Sequence, residues 1–89
     1  MNNHAPVLTT AAIRDLEQTP PKIGEALLAF IFGGLSANPR RRGKPLERKL
    51  EGLWSARRGD YRVIYRLDDN STTPYVLRIA HHSRVYRPR

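Results

Sequence analysis

Leu53-Trp54-Ser55-Ala56-Arg57-Arg58-Gly59-Asp60-Tyr61-Arg62-Val63-Ile64-Tyr65-Arg66-Leu67-Asp68 is the stretch whose reading decides the fold. It alternates in the manner of extended strands, in which successive side chains point to opposite faces. Gly59 supplies a turn within it, so the stretch reads as two strands, Leu53 to Arg57 and Asp60 to Asp68. Asp69-Asn70-Ser71 supplies the next turn, and a third run from Pro74 or Tyr75 to His82 completes an expected antiparallel meander.

The same alternation sorts the chemistry. On the middle strand Tyr61, Val63, Tyr65 and Leu67 share one face, and Arg62, Ile64 and Arg66 share the other. On the last strand Tyr75, Leu77, Ile79 and His81 fall on one side, with Val76, Arg78, Ala80 and His82 opposite. With Trp54 and Ala56 inward, one sheet face is expected to cover the helices and the other to present Arg62, Arg66, Arg78 and His82. Antiparallel sheets commonly keep a polar face in water, and arginine is a normal occupant of it. What argues for more is the number of cations without matching carboxylates, together with a histidine and a nearby Tyr86 that can handle protons. His81, Tyr61 and Tyr65 are inward by parity and are expected to be structural.

Working outward, Pro6-Val7-Leu8-Thr9 is confined to a first or edge strand, because proline removes a ladder donor. Thr9 or Thr10 caps a helix that keeps Ile13 and Leu16 on one face and stops near Gln18. Thr19-Pro20-Pro21 opens a longer helix, with Thr19 as its cap. There Ile23, Ala26, Leu27, Phe30 and Ile31 share a face, and Leu28 and Phe32 suggest burial over a wide arc. Gly33-Gly34 weakens its end and Pro39 stops it. Arg40 to Lys44, followed by Pro45, reads as an exposed basic connector, and Glu47 and Glu51 hint at a turn of helix beyond it. The expected fold class is α+β: one small domain over residues 5–89, with a short N-terminal edge strand, two helices and a three-stranded antiparallel meander. Residues 1–4 are expected to be disordered.

A chain of 89 residues with a formal charge of +8 has room for one modest core and attracts phosphates, acidic protein surfaces or anionic lipid. The absence of cysteine excludes disulfide scaffolds, thiolate nucleophiles and thiolate metal sites. The longest apolar run, Ala26 to Phe32, is too short for a membrane span, and Met1 to Ala5 lacks the features of a signal peptide, so a cytoplasmic location is expected. The cationic face suits RNA cleavage without metal, in which the ribose 2′-hydroxyl attacks its own phosphate and arginine stabilises the charge that builds there. No carboxylate pair or metal-ligand spacing competes for that role, and no cofactor is expected.

Gly43-Lys44-Pro45-Leu46, followed by Leu53-Trp54-Ser55-Ala56-Arg57-Arg58-Gly59-Asp60-Tyr61-Arg62-Val63-Ile64-Tyr65, resembles the core of RelE toxins. The ending His81-His82-Ser83-Arg84-Val85-Tyr86-Arg87 is similar to that family's closing motif, and Thr9-Thr10-Ala11 fits its beginning. The resemblance implies the toxin of a type II toxin-antitoxin system, a ribosome-dependent endoribonuclease that cuts messenger RNA in the 30S decoding site. It also implies a RelB-like or related antitoxin as partner. On this resemblance Arg62 stabilises transition-state charge, His82 is a second catalytic basic residue and Tyr86 a catalytic tyrosine. Arg57, Arg58, Arg66, Arg78, Lys49 and Lys44 are the expected contacts to RNA or ribosome. Some members carry lysines at the positions of Leu53 and Ser55, so here substrate grip falls to Lys49, Arg57 or Arg66, and the general base lies between Tyr86 and His82. Two other readings share the charge or the fold. One is a ParE-type toxin that poisons DNA gyrase through a protein interface, and the other is a basic RNA-binding module without catalysis.

Overall fold

The computed structural model describes residues 5–46, 52–68 and 72–81. Lys49, the turn of helix at Glu47 and Glu51, the Asp69-Asn70-Ser71 turn, His82 and Tyr86 lie outside the described residues, as do residues 1–4.

The chain runs β1 (Val7–Leu8), α1 (Thr10–Glu17), α2 (Pro21–Phe30), a π-helical turn (Ile31–Leu35), α3 (Pro39–Arg42), β2 (Lys44–Pro45), β3 (Leu53–Arg58), β4 (Tyr61–Arg66) and β5 (Tyr75–His81). The expected meander is there: β3, β4 and β5 pair antiparallel in chain order. Gly59, at φ 62°, makes the β3–β4 turn in the left-handed region that favours glycine. β1 adds to the outer edge of β5 in parallel and β2 to the outer edge of β3, giving a mixed sheet in the order β1-β5-β4-β3-β2.

Helix boundaries follow from backbone accounting. Thr9 caps α1 by accepting from the Ala12 amide at 3.1 Å, and its hydroxyl donates to the Leu77 carbonyl at 2.9 Å, which ties the helix start to β5. Thr19 does not cap α2 as expected. Pro20 holds that position, because Pro21 at the helix start needs no amide partner, and the Thr19 hydroxyl instead closes α1 by donating to the Leu16 carbonyl at 2.8 Å. Gly33-Gly34 weakens the helix end as expected, without ending the helical path, which breaks at Asn38 before Pro39. The wider π turn absorbs the two glycines and turns Ile31 and Leu35 into the core.

Ala12, Leu27, Ile31 and Leu35 pack against Ala56, Val63, Tyr65, Leu67, Val76 and Ile79, with Leu8, Leu16, Phe30, Trp54 and Tyr61 at the margin. Burying each large apolar side chain contributes about 1.5–3 kcal/mol, so this one cluster supplies the main driving force. The wide buried arc expected for α2 is narrower. Ile23, Leu28 and Phe32 are exposed, because α1 covers α2 on one flank only and leaves a shallow apolar groove beside Ile13, Leu16, Leu28 and Phe32.

Two local departures matter for the site. The parity expected for β5 holds from Arg78 onward and fails before it. Ile64 pairs with Arg78 but Tyr65 pairs with Val76, so Leu77 is an extra residue and the strand carries a bulge. Val76 is therefore fully buried and Tyr75 is exposed, the reverse of the alternation. The basic connector is likewise not a loop, since it forms α3 and β2. Its anchor is Tyr65, whose hydroxyl donates to the Pro39 carbonyl at 2.6 Å. Gly43 passes so close that any Cβ there would overlap that hydroxyl.

Burial pushes the Tyr65 phenol up to about 12, against a slight opposing pull from the Arg40 charge. A folded pKa above the ordinary value near 10 means full stabilisation below pH 10, lost as pH rises through 12. Absorbance titration is expected to show a tyrosinate component near pH 12 that Tyr65→Phe removes. A removed component centred near pH 10 would contradict this.

Asp15 locks α1 onto the β5 edge. Its carboxylate accepts from the Ile79 amide at 2.8 Å and from Arg78 Nε and Nη2 at 2.9 and 3.1 Å. Asp15→Ala is expected to cost about 1–3 kcal/mol in urea unfolding, chiefly by stranding the Ile79 amide. The exposed pairing with Arg78 adds little. Asp15→Asn, which keeps an acceptor, should recover most of the loss; an asparagine variant as weak as the alanine one would refute that apportionment.

Candidate functional site

The β3–β4 register places Leu53, Ser55 and Arg57 opposite Arg66, Ile64 and Arg62, all on the sheet face away from the core. Arg57 and Arg62 are direct cross-strand neighbours, an arrangement that costs stability unless something negative lies between them. Arg62 is half-buried, with its Nε sealed from solvent, and Nη1 donates to Ser55 Oγ at 3.2 Å. Arg57 Nε donates to the Gly59 carbonyl at 3.1 Å, which holds the side chain at the hairpin end. Ser55 thus stands at one of the two positions that some members of the resembled family fill with lysine, and here it orients Arg62.

β2 closes this region from the side. Lys44 pairs with Ser55 and Pro45 with Trp54, bringing the chain from α3 alongside the arginines. The result is a groove of about 550 Å³ lined by Arg41, Arg42, Lys44, Ser55, Arg57 and Arg62, with Gly43, Pro45 and Leu46 completing its wall. Among the described residues that line it there is no Asp or Glu.

Of the residues singled out from sequence, the groove brings together Lys44, Arg57 and Arg62. Arg66 shares their face but sits about 13 Å along β4 from Arg62, beside Asp68 at 3.7 Å. Arg78 is paired with Asp15 at the far edge, which holds its guanidinium even more firmly charged. Arg58 is on the opposite, helix-covered face with its guanidinium 5.7 Å from the centre of the Phe30 ring. His81 packs edge-on against Tyr61 at 5.2 Å, in keeping with its inward parity. Arg41 and Arg42 were missed as site residues. The Arg40 to Lys44 run was their signal, but what recruits them is the pairing of β2 with β3, which periodicity does not disclose in so short a segment.

Among the described residues no three His, Cys, Asp or Glu side chains gather to hold a metal ion, and no helix is long and apolar enough to cross a membrane. The groove can grip anions, and Arg57 and Arg62 can share the charge on a phosphoryl group through forked donors.

Residues 7–86 match the model of the ParE toxin of type II toxin-antitoxin systems. Toxin RelG of Mycobacterium tuberculosis is 53% identical over 79 residues, 89% of this chain and 91% of the relative. Toxin RelE of the same organism is 51% identical over 80 residues, 90% of this chain and 82% of the relative. The toxin-antitoxin complex RelBE2 of M. tuberculosis contains a chain that superposes with a TM-score of 0.82 at 50% identity, covering 90% of this chain and 99% of that one. The chain thus belongs to the RelE/ParE superfamily of type II toxins, as a toxin of RelE type.

Proposed function

We propose that this toxin is a ribosome-dependent endoribonuclease of the cytoplasm that cuts messenger RNA by attack of a ribose 2′-hydroxyl on the adjacent phosphate, without a metal ion. The observation that carries the reading is the groove, where the neighbouring pair Arg57 and Arg62 meets Arg41, Arg42 and Lys44. Such a wall binds a phosphodiester, and Arg62, held by Ser55, and Arg57, held by the Gly59 carbonyl, are in place before the reaction, which is what makes charge stabilisation effective in a transition state. Arg62, oriented by Ser55, bears the charge developing on the phosphorane oxygens. On the resemblance to RelE toxins, Tyr86 and His82 divide the removal of the 2′-proton and the protonation of the departing 5′-oxygen. Arg57 and Lys44 hold the message, while Arg58, Arg66, Arg78 and Lys49 lie apart from this groove or outside the described residues and would meet RNA or ribosome elsewhere.

The partner of this reading is a RelB-like antitoxin. The matched RelBE2 chain comes from a toxin-antitoxin complex, and an acidic or amphipathic segment laid across the groove would cover the cations that RNA needs. Copurification of toxin and antitoxin, weakened by high salt, is the expected behaviour. A ParE-type attack on gyrase shares the fold, but relatives at 53% and 51% identity that bear Rel names favour the nuclease.

Induction in growing cells followed by mapping of new message 5′ ends tests the proposal. New ends inside translated codons are expected. Growth arrest with intact messages and failing gyrase, or full toxicity of the double variant Arg62→Ala, Tyr86→Phe, would reject it.

A further inference from the structure

α3 is a single turn, and its arginines fan out because successive residues on a helix diverge by about 100°. Arg40 turns toward the β4 end, where Nη2 donates to the Asp68 carbonyl at 3.0 Å. Arg41 and Arg42 turn the other way and line the Arg57–Arg62 groove. The same two side chains, with Asn38, also line a second hollow of about 350 Å³, so the two depressions share a cationic wall. The Arg42 guanidinium lies beside Gly34 of the π turn, at a distance where even a Cβ on that glycine would make only ordinary contact, 3.5 Å from Nε. Tyr65, holding Pro39 by its hydroxyl, anchors the start of α3 to the sheet.

We propose that Asn38, Arg41 and Arg42 form a second phosphate subsite, taking a phosphodiester of the same single RNA strand next to the one held by Arg57 and Arg62. The inference rests on the nuclease reading and adds to it a strand path: across the groove from β4 and over α3. Two separate cationic hollows joined by shared arginines suit successive phosphates, whereas a lone small anion needs only one of them. Asn38 contributes an amide that can donate to a phosphate or sugar oxygen.

The test is binding of uncleavable 2′-O-methyl oligonucleotides by the full chain, followed by anisotropy across a salt series. With a hexanucleotide, Arg41→Gln/Arg42→Gln is expected to weaken binding about tenfold at low salt and to flatten the slope of log affinity against log salt by about 1.4, or about 0.7 per lost contact. With a dinucleotide, whose single phosphodiester lies in the Arg57–Arg62 groove that Arg41 and Arg42 also line, the variant is expected to lose only about twofold to threefold, well short of its loss on the hexanucleotide. Arg14→Gln/Lys22→Gln removes the same charge from exposed positions on α1 and α2 and serves as the field control. If the groove variant equals this control on the hexanucleotide, or loses the dinucleotide as strongly as the hexanucleotide, the second subsite is wrong. Loss of dinucleotide binding in Arg57→Gln/Arg62→Gln shows that the nuclease site survives such a failure. If neither groove pair alters binding to either oligonucleotide, the nuclease reading falls with it.

Discussion

Replacing Arg62 by alanine is expected to lower the single-turnover rate of message cleavage on the ribosome by about 10²–10³-fold, the usual effect of removing one fixed donor from a developing anion. The size follows from the surroundings. Arg62 is half-buried and held by Ser55, so its guanidinium does not have to be recruited from water at the moment of reaction. Lysine is a poor replacement, since a single ammonium on a flexible stem cannot match the forked geometry, and Arg62→Lys should recover little of the rate. Fold stability is expected to hold, because relieving the like-charge pairing with Arg57 offsets the lost contact to Ser55. A variant that unfolds at the same urea midpoint and still cleaves within a fewfold of wild type would remove Arg62 from the chemistry.

Gly43→Ala should be the most damaging single methyl group in the described fold. The glycine has φ −131° and ψ −175°, extended backbone that any residue adopts, so the constraint is one of space. A Cβ would overlap the Tyr65 hydroxyl, lie 2.8 Å from the Ser55 carbonyl oxygen and 3.0 Å from the Tyr65 ring. Tyr65 is fully buried and cannot swing aside, so α3 and β2 must move, at a cost of about 2–3 kcal/mol. Because that movement carries Arg41, Arg42 and Lys44 away from Arg57 and Arg62, cleavage should fall along with stability. Tyr65→Phe alone loses one buried hydrogen bond, about 1 kcal/mol. In its background Gly43→Ala should cost less by about 1 kcal/mol, since the atom it strikes first is gone. Strict additivity of the two substitutions in urea unfolding would show that the clash lies elsewhere.

The sheet was legible where its period ran undisturbed. Alternation from Leu53 to Leu67 placed Val63 and Tyr65 inward and Arg62 outward, and the resemblance to RelE toxins was carried by those same residues. It broke at Leu77, because a bulge adds a residue without any mark in composition, and every position before it changed face. Arg57 and Arg58 looked equivalent as neighbours in a basic pair, yet neighbours on a strand must diverge, and only Arg57 faces the groove. Arg78 was on the right strand, but Asp15 claims it from 63 residues away, a pairing no local pattern encodes. The helical burial was overdrawn at Leu28 and Phe32 because periodicity shows an apolar arc without showing how much of it a neighbour covers. The basic run before Pro45 hid both a helix and a strand. Elements of four and two residues are too short for a period, and it takes the Tyr65 hydroxyl and the β3 edge to fix them.

Under the proposed function, RNA is cut by its own 2′-hydroxyl in the Arg57–Arg62 groove. The direct measurement is cleavage by purified toxin of a ribosome-bound message carrying a single 2′-deoxynucleotide at the mapped cut position. The expected result is loss of the cut at that linkage, with a 2′,3′-cyclic phosphate on the upstream fragment of the unmodified message. Cleavage of the deoxy linkage at an undiminished rate would contradict the account.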